Sequence, residues 1–168
     1  RYFETFTPRY GLDKFAFALD FINKRYRHGS LLDVGCGDGA ALELFAQQTA
    51  LDRFTGLDIS PAYLRKTADR VGCETVQGSI LDPEVARTLA GSFDICVMAS
   101  VLHHLVGANR RESSVLARTA LAHALRTVHM GGHLLVYEPT YASGLLPTAM
   151  FWLKRAVSHY AGGRVEVG

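Results

Sequence analysis

The residues best suited to chemistry are three glycines at alternate positions and an aspartate that follows them in the chain. Gly35, Gly37 and Gly39 come directly after an apolar run at residues 31–34, and Asp58 ends the next apolar run. Glycines let a chain turn sharply after a strand and let a ligand approach the backbone closely. A carboxylate at the end of the second strand can accept both hydroxyls of a ribose. Together these residues indicate a cofactor that contains adenosine.

Two classes of cofactor fit this pattern. The glycine loop and Asp58 also satisfy the dinucleotide fingerprint of NAD(P)-binding Rossmann oxidoreductases. Asp33 weighs against that class, because it precedes the loop at the end of the strand, where it would face the ligand. Gly39 leaves little room for a pyrophosphate, and the sequence supplies no substrate domain for a dehydrogenase. The oxidoreductase is therefore kept as the alternative.

The elements around the loop alternate between strand and helix. Apolar runs predict five strands, at residues 31–34, 54–57, 74–77, 93–98 and 133–137. Helical spacing and capping signals predict helices over residues 12–26 and 40–48, after Ser60-Pro61, after Asp82-Pro83, and from Ser113 or Ser114 to the glycines at 131 and 132. This order predicts an α/β fold, namely a Rossmann-like, doubly wound, mostly parallel sheet with helices on both faces. Ligands of such sheets bind beyond the carboxyl ends of the strands.

Length and composition predict a single domain. Its 168 residues divide into an N-terminal helical cap (1–30), a cofactor-binding core (31–138) and an apolar helix with a tail (139–168). The net charge of +2 argues against a dedicated nucleic-acid binder. The three cysteines are far apart in the sequence, which argues against a disulfide framework and fits a reducing, cytoplasmic compartment. Neither the cysteines nor the histidines have the spacing of metal ligands. No segment is long and apolar enough to be a transmembrane helix.

The pattern Asp33-x-Gly35-x-Gly37-x-Gly39 resembles motif I of the class I S-adenosylmethionine-dependent methyltransferases. The resemblance runs from about residue 10 to residue 138 and includes Asp58, residues 78–80, 93–99 and 131–136, and a Leu-His-His-Leu segment at 102–105. It implies an enzyme that transfers a methyl group from S-adenosylmethionine to a small-molecule acceptor, with an apolar molecule as one candidate, and releases S-adenosylhomocysteine. A non-catalytic domain that binds a cofactor or a partner is a further alternative.

The resemblance also implies which residues contact the cofactor. Asp33 and the glycines would line the methionine end, Asp58 would take the ribose hydroxyls, and Ile59 would pack on the adenine. Ser79 stands where many family members have an acid, and its hydroxyl accepts a hydrogen bond more weakly than a carboxylate. The full set of expected cofactor contacts is Tyr10, Asp33, Gly35, Cys36, Gly37, Gly39, Asp58, Ile59, Ser79, Ile80 (through its backbone N–H) and Ala99 (through its carbonyl).

Few residues are candidates for catalysis. A sulfonium methyl group is already activated, so the protein must chiefly align the nucleophile and exclude water. His103 and His104 follow the fourth strand and could remove a proton from a hydroxyl, because histidine titrates near neutral pH. A structural role in the loop is their alternative interpretation. Glu138 ends the fifth strand and would either line the acceptor pocket or cap the next element.

The segments after the fifth strand carry two further expectations. The family fold adds two more strands there, and the 30 residues that follow Glu138 are too few for them, so we expect the C-terminal strands to be truncated. The first residue, Arg1, indicates a missing N-terminus. The apolar stretch at residues 144–153 would form a lid over the acceptor, a helix facing a membrane or partner, or a core helix. No Asn-Pro-Pro-Tyr or Asp-Pro-Pro-Tyr motif follows the fourth strand, so no nucleic-acid partner is expected, with RNA left open.

Overall fold

The computed structural model of the protein describes residues 13–139. The chain divides into two compact units, Arg1–Tyr137 and Glu138–Gly168. All the helices and strands given below belong to the first unit, and Glu138 and Pro139 are the described residues of the second. Tyr10, which we expect to contact the cofactor, and the apolar stretch at residues 144–153 lie outside the described residues.

Five strands and five α-helices alternate along the described residues of the first unit, 13–137. The strands are β1 (Ser30–Val34), β2 (Arg53–Asp58), β3 (Glu74–Gln77), β4 (Phe93–Ala99) and β5 (Val128–Tyr137). The helices are α1 (Ala16–Arg25), α2 (Ala40–Gln48), α3 (Pro61–Val71), α4 (Pro83–Thr88) and α5 (Arg110–Thr127). Short 3-10 helices at Asp13–Phe15 and Leu102–His104 precede α1 and follow β4.

The sheet has the strand order β3-β2-β1-β4-β5, and every pair of neighbours is parallel. The chain therefore moves outward from β1 to β3, returns beside β1 as β4 and continues outward to β5. The direction of winding reverses between β1 and β4, and ligands of such sheets bind in the crevice outside the carboxyl ends of the strands at this point. The predicted doubly wound α/β fold is confirmed.

Apolar side chains form a core on each face of the sheet. Because successive side chains of a strand point to opposite faces, Leu31 joins one core and Leu32 the other. The core on the first face contains Phe15, Ile22, Leu42, Phe45, Ile95 and Val97, which come from the start of the chain, α1, α2 and β4. The core on the second face contains Val34, Leu57, Cys96, Met98, Ala120 and Ala124, with α5 covering the strands. Helices thus cover both faces, as the sequence predicts.

Two of the predicted helix starts are confirmed by their caps. The Ser60 hydroxyl accepts a hydrogen bond from the Tyr63 N–H (3.4 Å), and the Asp82 carboxylate accepts one from the Glu84 N–H (2.9 Å). Proline follows each cap, at the first helical position, where the missing N–H costs nothing.

The start of α5 is a correction. The predicted start at Ser113 or Ser114 is wrong, since α5 begins at Arg110 with Asn109 as its cap. The Asn109 side-chain oxygen accepts from the Glu112 N–H (3.0 Å), and the Glu112 carboxylate accepts from the Asn109 amide (2.8 Å). The Ser113 hydroxyl donates to the Asn109 carbonyl instead of capping the helix. The signal for this cap was an asparagine followed three residues later by a glutamate.

The start of β5 is a second correction. The sequence predicts a strand over residues 133–137 after a break at two glycines, whereas β5 begins at Val128 and contains both glycines. The pairing with β4 shifts register between Phe93, which pairs with Val128, and Ile95, which pairs with His133. A Cβ on Gly132 would lie 2.8 Å from the Asp94 carbonyl oxygen, so glycine permits a close approach of two backbones here.

A polar cluster joins the amino-terminal ends of three strands, at the edge of the sheet opposite the glycine loop. One Asp94 carboxylate oxygen accepts from the Ser30 N–H and hydroxyl, both at 2.8 Å, and the other lies 2.7 Å from His129 Nε2. Partial burial alone would raise the pKa of Asp94, but the hydrogen bonds from His129 and Ser30 outweigh it and hold that pKa below its ordinary value. The hydrogen bond to Asp94, with a smaller effect of the Met130 carbonyl, raises the pKa of His129.

Candidate cofactor-binding site

The glycine loop turns the chain from β1 into α2 within five residues. The N–H groups of Gly35 and Cys36 both donate to the Leu57 carbonyl, at 2.7 and 3.1 Å, and so attach the loop to the end of β2. Gly35, Gly37 and Gly39 all have positive φ angles, of 72°, 55° and 82°. Such a run of left-handed conformations strongly favours glycine, which explains the alternate spacing in the sequence.

Asp58, the last residue of β2, connects this loop with the next one. One carboxylate oxygen accepts from the Gly37 N–H at 3.0 Å and the other accepts from the Ser60 N–H at 2.8 Å. A carboxylate has about four lone-pair sites, so about two remain for a ligand. Asp58 is half-buried. It therefore stabilises the loop and still offers acceptors to hydroxyl groups.

Helix α3 fixes the glycine loop from behind. The Thr67 hydroxyl donates to the Gly37 carbonyl at 2.9 Å. The Arg70 guanidinium donates to the Asp38 carbonyl at 2.9 Å, to the Asp38 carboxylate at 3.0 Å and to the Glu43 carboxylate at 3.0 Å. A loop held by this many bonds loses little entropy when it binds a ligand, because its conformation is set beforehand.

Asp33 places a buried carboxyl group beside the loop. The residue is 2% exposed. The pKa of Asp33 is raised to about 7 as the net result of burial, which raises it most, the positive charge of Lys14, which lowers it, and the negative charge of Asp58, which raises it. A cationic ligand group beside Asp33 would favour the ionised form and gain a charge-assisted hydrogen bond.

Cys36 is part of the wall behind the loop. It is 6% exposed, and burial raises the pKa of its thiol to about 12, with a further increase from Asp33. The thiol is therefore neutral and unreactive at physiological pH. A Cβ on Gly56 would lie 2.7 Å from Cys36 Sγ, so the cysteine packs directly against β2. The geometry gives the Cys36 side chain a packing role, and its backbone N–H is already bonded to Leu57.

The three loop glycines differ in the space around them. A Cβ on Gly35 would lie 2.6 Å from Val101, and one on Gly39 would lie 3.0 Å from Thr67. A Cβ on Gly37 would have nothing within 4 Å. Among the described residues, Gly37 therefore faces open space, where a ligand can approach the backbone. These features fit a nucleoside with an amino-acid tail.

The ends of β2 and β3 carry the residues expected at the adenine. Ile59 is 59% exposed, which is unusual for a large apolar side chain and suits a surface that packs on a ring. The Ser79 hydroxyl accepts from the Leu81 N–H at 3.2 Å. Ile80 is buried, and its carbonyl lies 2.7 Å from His123 Nδ1. The Gly78 N–H donates to the Asp58 carbonyl at 3.0 Å, which ties these two strand ends together.

The segment after β4 completes this edge of the sheet. Ala99 ends β4, and Ser100 takes a left-handed conformation with φ 61°. Its N–H donates to the Tyr137 carbonyl at 2.8 Å, and its hydroxyl accepts from Lys14 Nζ at 3.2 Å. The 3-10 helix Leu102–His104 follows.

The candidate bases lie on that 3-10 helix. The rings of His103 and His104 have centroids 4.1 Å apart, with His103 exposed and His104 half-buried. Glu138 is the first residue of the second unit. The structure thus brings the expected cofactor contacts from residue 33 to residue 99 to one edge of the sheet, while every residue role stays a prediction. Sequence reasoning missed Lys14, Thr67 and Arg70, which no local motif marks.

Comparison with known proteins decides the family. A family model described as a methyltransferase domain matches residues 32–134, which is more than half of the chain. The chain belongs to the class I S-adenosylmethionine-dependent methyltransferases. This membership confirms the predicted resemblance, and it decides against the dinucleotide-binding alternative.

Three relatives of this methyltransferase domain illustrate the match. Ribosomal RNA small subunit methyltransferase C of Yersinia pestis (strain Pestoides F) is 27% identical over 113 residues, which cover 67% of this chain and 31% of that protein. The amino pentose methyltransferase of Micromonospora echinaspora involved in calicheamicin biosynthesis, solved with S-adenosylmethionine bound, is 27% identical with a TM-score of 0.62 and coverages of 78% and 52%. DesVI of Streptomyces venezuelae is 26% identical with a TM-score of 0.60 and coverages of 80% and 56%.

The match covers only part of each of these relatives. The domain spans about a third of the curated relative and about half of each of the two solved structures. The predicted cofactor, S-adenosylmethionine, is confirmed by the family match and by the relative solved with it. Within residues 13–139, no helix combines the length and apolar character needed to span a membrane. The same residues contain no cluster of side chains suited to a metal ion.

Proposed function

We propose that this domain binds S-adenosylmethionine at the carboxyl ends of β1, β2 and β4 and transfers its methyl group to a small-molecule acceptor. The observation that carries the proposal is the double role of Asp58. Its carboxylate accepts from the Gly37 N–H and from the Ser60 N–H, and it keeps lone pairs for the two ribose hydroxyls. A carboxylate that served only the loop would not need to be half-exposed at this edge.

The neighbouring residues suit the rest of the cofactor. Asp33 offers a buried carboxylate to the ammonium group of the amino-acid tail, beside the Ala99 carbonyl. The open space at Gly37 admits that tail close to the backbone. Ile59 provides an exposed apolar surface for the adenine, with Ser79 and the Ile80 N–H at the ring edge. When bound, the cofactor supplies an activated methyl group on sulfur. The chain itself binds, orients and desolvates the reacting groups.

The turn after β4 is where a proton would be removed. His103 and His104 belong to the 3-10 helix Leu102–His104, which begins two residues after Ser100. An imidazole there can accept a proton from a hydroxyl acceptor as the methyl group is transferred, or from an ammonium acceptor before the freed nitrogen lone pair attacks the methyl group. Glu138 is a further candidate for contact with the acceptor. An acceptor that carries no proton to lose would need neither histidine, so the effect of replacing them reports on the acceptor.

Two observations support a small molecule as the acceptor. The solved relative with bound cofactor is an amino pentose methyltransferase and shares 27% identity with this chain. The nearly balanced charge, +2 over 168 residues, lacks the excess of basic residues that is typical of nucleic-acid-binding domains. RNA is the competing acceptor class, because the curated relative at the same identity is a ribosomal RNA methyltransferase.

A binding and transfer experiment tests the proposal. Isothermal titration should show binding of S-adenosylhomocysteine and no binding of NAD. Asp58→Ala should abolish that binding, whereas Asp52→Ala should preserve it, because the Asp52 carboxylate accepts from the Gly29 N–H at the opposite edge of the sheet. Transfer of a tritiated methyl group would then be measured on amino sugars, small phenols and ribosomal RNA fragments. A folded protein that ignores S-adenosylhomocysteine at millimolar concentration, or that methylates only RNA, refutes the proposal.

A further inference from the structure

Lys14 places a positive charge at the point where the sheet changes its direction of winding. The residue lies in the 3-10 helix Asp13–Phe15, just before α1. Its Nζ donates to the Ser100 hydroxyl at 3.2 Å, although the two residues are 86 positions apart. Since Ser100 directly follows β4, this contact brings the ammonium group to the carboxyl end of β4. A lysine ammonium has three donors, so two remain after this bond.

The electrostatics relate Lys14 to the buried carboxyl group at the end of β1. After burial itself, the charge of Lys14 is the largest influence on the pKa of Asp33, and it acts to lower that pKa. Among the described residues, no carboxylate forms an ion pair with Lys14, whereas Lys24 on α1 pairs with Asp20 at 2.7 Å. At this edge the charge of Lys14 thus acts on the buried carboxyl group of Asp33.

Such a pair is complementary to a zwitterion. An α-amino acid presents an ammonium and a carboxylate a few ångströms apart, and each gains a charge-assisted hydrogen bond from a partner of opposite charge. We propose that Lys14 binds the carboxylate of the cofactor's amino-acid tail while Asp33 binds its ammonium group. This inference rests on the proposed function and adds to it a cofactor-binding residue that lies ahead of the family match at residues 32–134.

The test compares two ligands that differ in the tail. S-adenosylhomocysteine carries the amino-acid group, and 5′-methylthioadenosine has the same nucleoside and sulfur without it. Lys14→Met keeps the length of the side chain and removes the charge, and it should weaken S-adenosylhomocysteine binding about 10- to 100-fold, the range expected for a lost hydrogen bond between charged groups. The affinity for 5′-methylthioadenosine should stay unchanged. Lys14→Arg should restore most of the affinity for S-adenosylhomocysteine.

Two further variants make the result specific. Lys24→Met removes an exposed ammonium from the following helix and should change neither affinity. Lys14→Gln keeps a donor for Ser100 but no charge, and should behave as Lys14→Met does if charge is what matters. Equal weakening of both ligands by Lys14→Met would show a structural role and overturn the inference, as would unchanged S-adenosylhomocysteine binding. If the unaltered protein binds 5′-methylthioadenosine but not S-adenosylhomocysteine, the tail site fails while nucleoside binding stands. If it binds neither, the proposed function fails first.

Discussion

Gly37 and Gly72 form a matched pair for testing where the ligand lies. Both have left-handed backbones, with φ angles of 55° and 68°, and a Cβ on either would meet nothing within 4 Å. An alanine in that conformation costs about 1–2 kcal/mol. We therefore expect Gly37→Ala and Gly72→Ala to lower the free energy of unfolding by similar amounts. For a domain of this size that corresponds to a fall of several degrees in the midpoint of thermal unfolding.

The two variants should differ in binding. A ligand packed on Gly37 would lie about 3.5–4 Å from its backbone, in the space that the new methyl group takes. Gly37→Ala should therefore weaken S-adenosylhomocysteine binding by more than about tenfold, the cost of roughly 1.4 kcal/mol. Gly72 ends α3, and Gly72→Ala should leave the affinity unchanged. Thermal unfolding and isothermal titration on the same preparations measure both effects. Equal affinities for the two variants would refute the placement of the cofactor over Gly37.

Three further outcomes follow from the contacts described above. Arg70→Gln should weaken S-adenosylhomocysteine binding about 3- to 10-fold by isothermal titration, because the loss of a charge-assisted hydrogen bond lets the glycine loop move more freely before it binds. Arg87→Gln, on the exposed surface of α4, should have no effect on this binding. Asp58→Asn keeps one acceptor oxygen but no charge. This variant should bind S-adenosylhomocysteine more weakly than the unaltered protein and more tightly than the Asp58→Ala variant does. Equal affinities of the two variants would contradict this prediction. His129→Gln should lower the midpoint of thermal unfolding near pH 5.5 and have little effect near pH 9. A histidine whose pKa is raised in the folded state stabilises the fold fully at pH values below the ordinary histidine pKa of about 6.5. That stabilisation is lost as the pH rises through the raised pKa. A pH-independent difference would show that His129 acts through packing and not through its charge on Asp94.

Local signals in the sequence were enough to predict the order of the strands and helices. Ser60-Pro61 and Asp82-Pro83 each combine a cap and a fixed φ angle within two residues, so the helices begin where these pairs predict. The glycine spacing likewise depends on φ angles of the loop itself. Capping by Asn109 was also a local signal, but the serines that follow it obscured the helix start.

The remainder depends on contacts between distant parts of the chain. Gly132 lies in β5 at a point where the Asp94 backbone comes too close to leave room for a Cβ. The residues near Gly132 in the sequence do not indicate this close approach. Arg70 reaches Asp38 across 32 residues and Lys14 reaches Ser100 across 86. Exposed basic residues of this kind look like solvated surface until packing places a carbonyl or hydroxyl beside them.

The two attachments of Asp58 have an evolutionary consequence. A replacement chosen to suit a different sugar would also release the Gly37 and Ser60 amides. Under the proposed function, selection at this position would act on ribose recognition and on backbone order together, and few single substitutions could satisfy both. Under the proposed function, a domain built in this way would keep the nucleoside it consumes constant, because changing the carboxylate would also loosen the backbone around it.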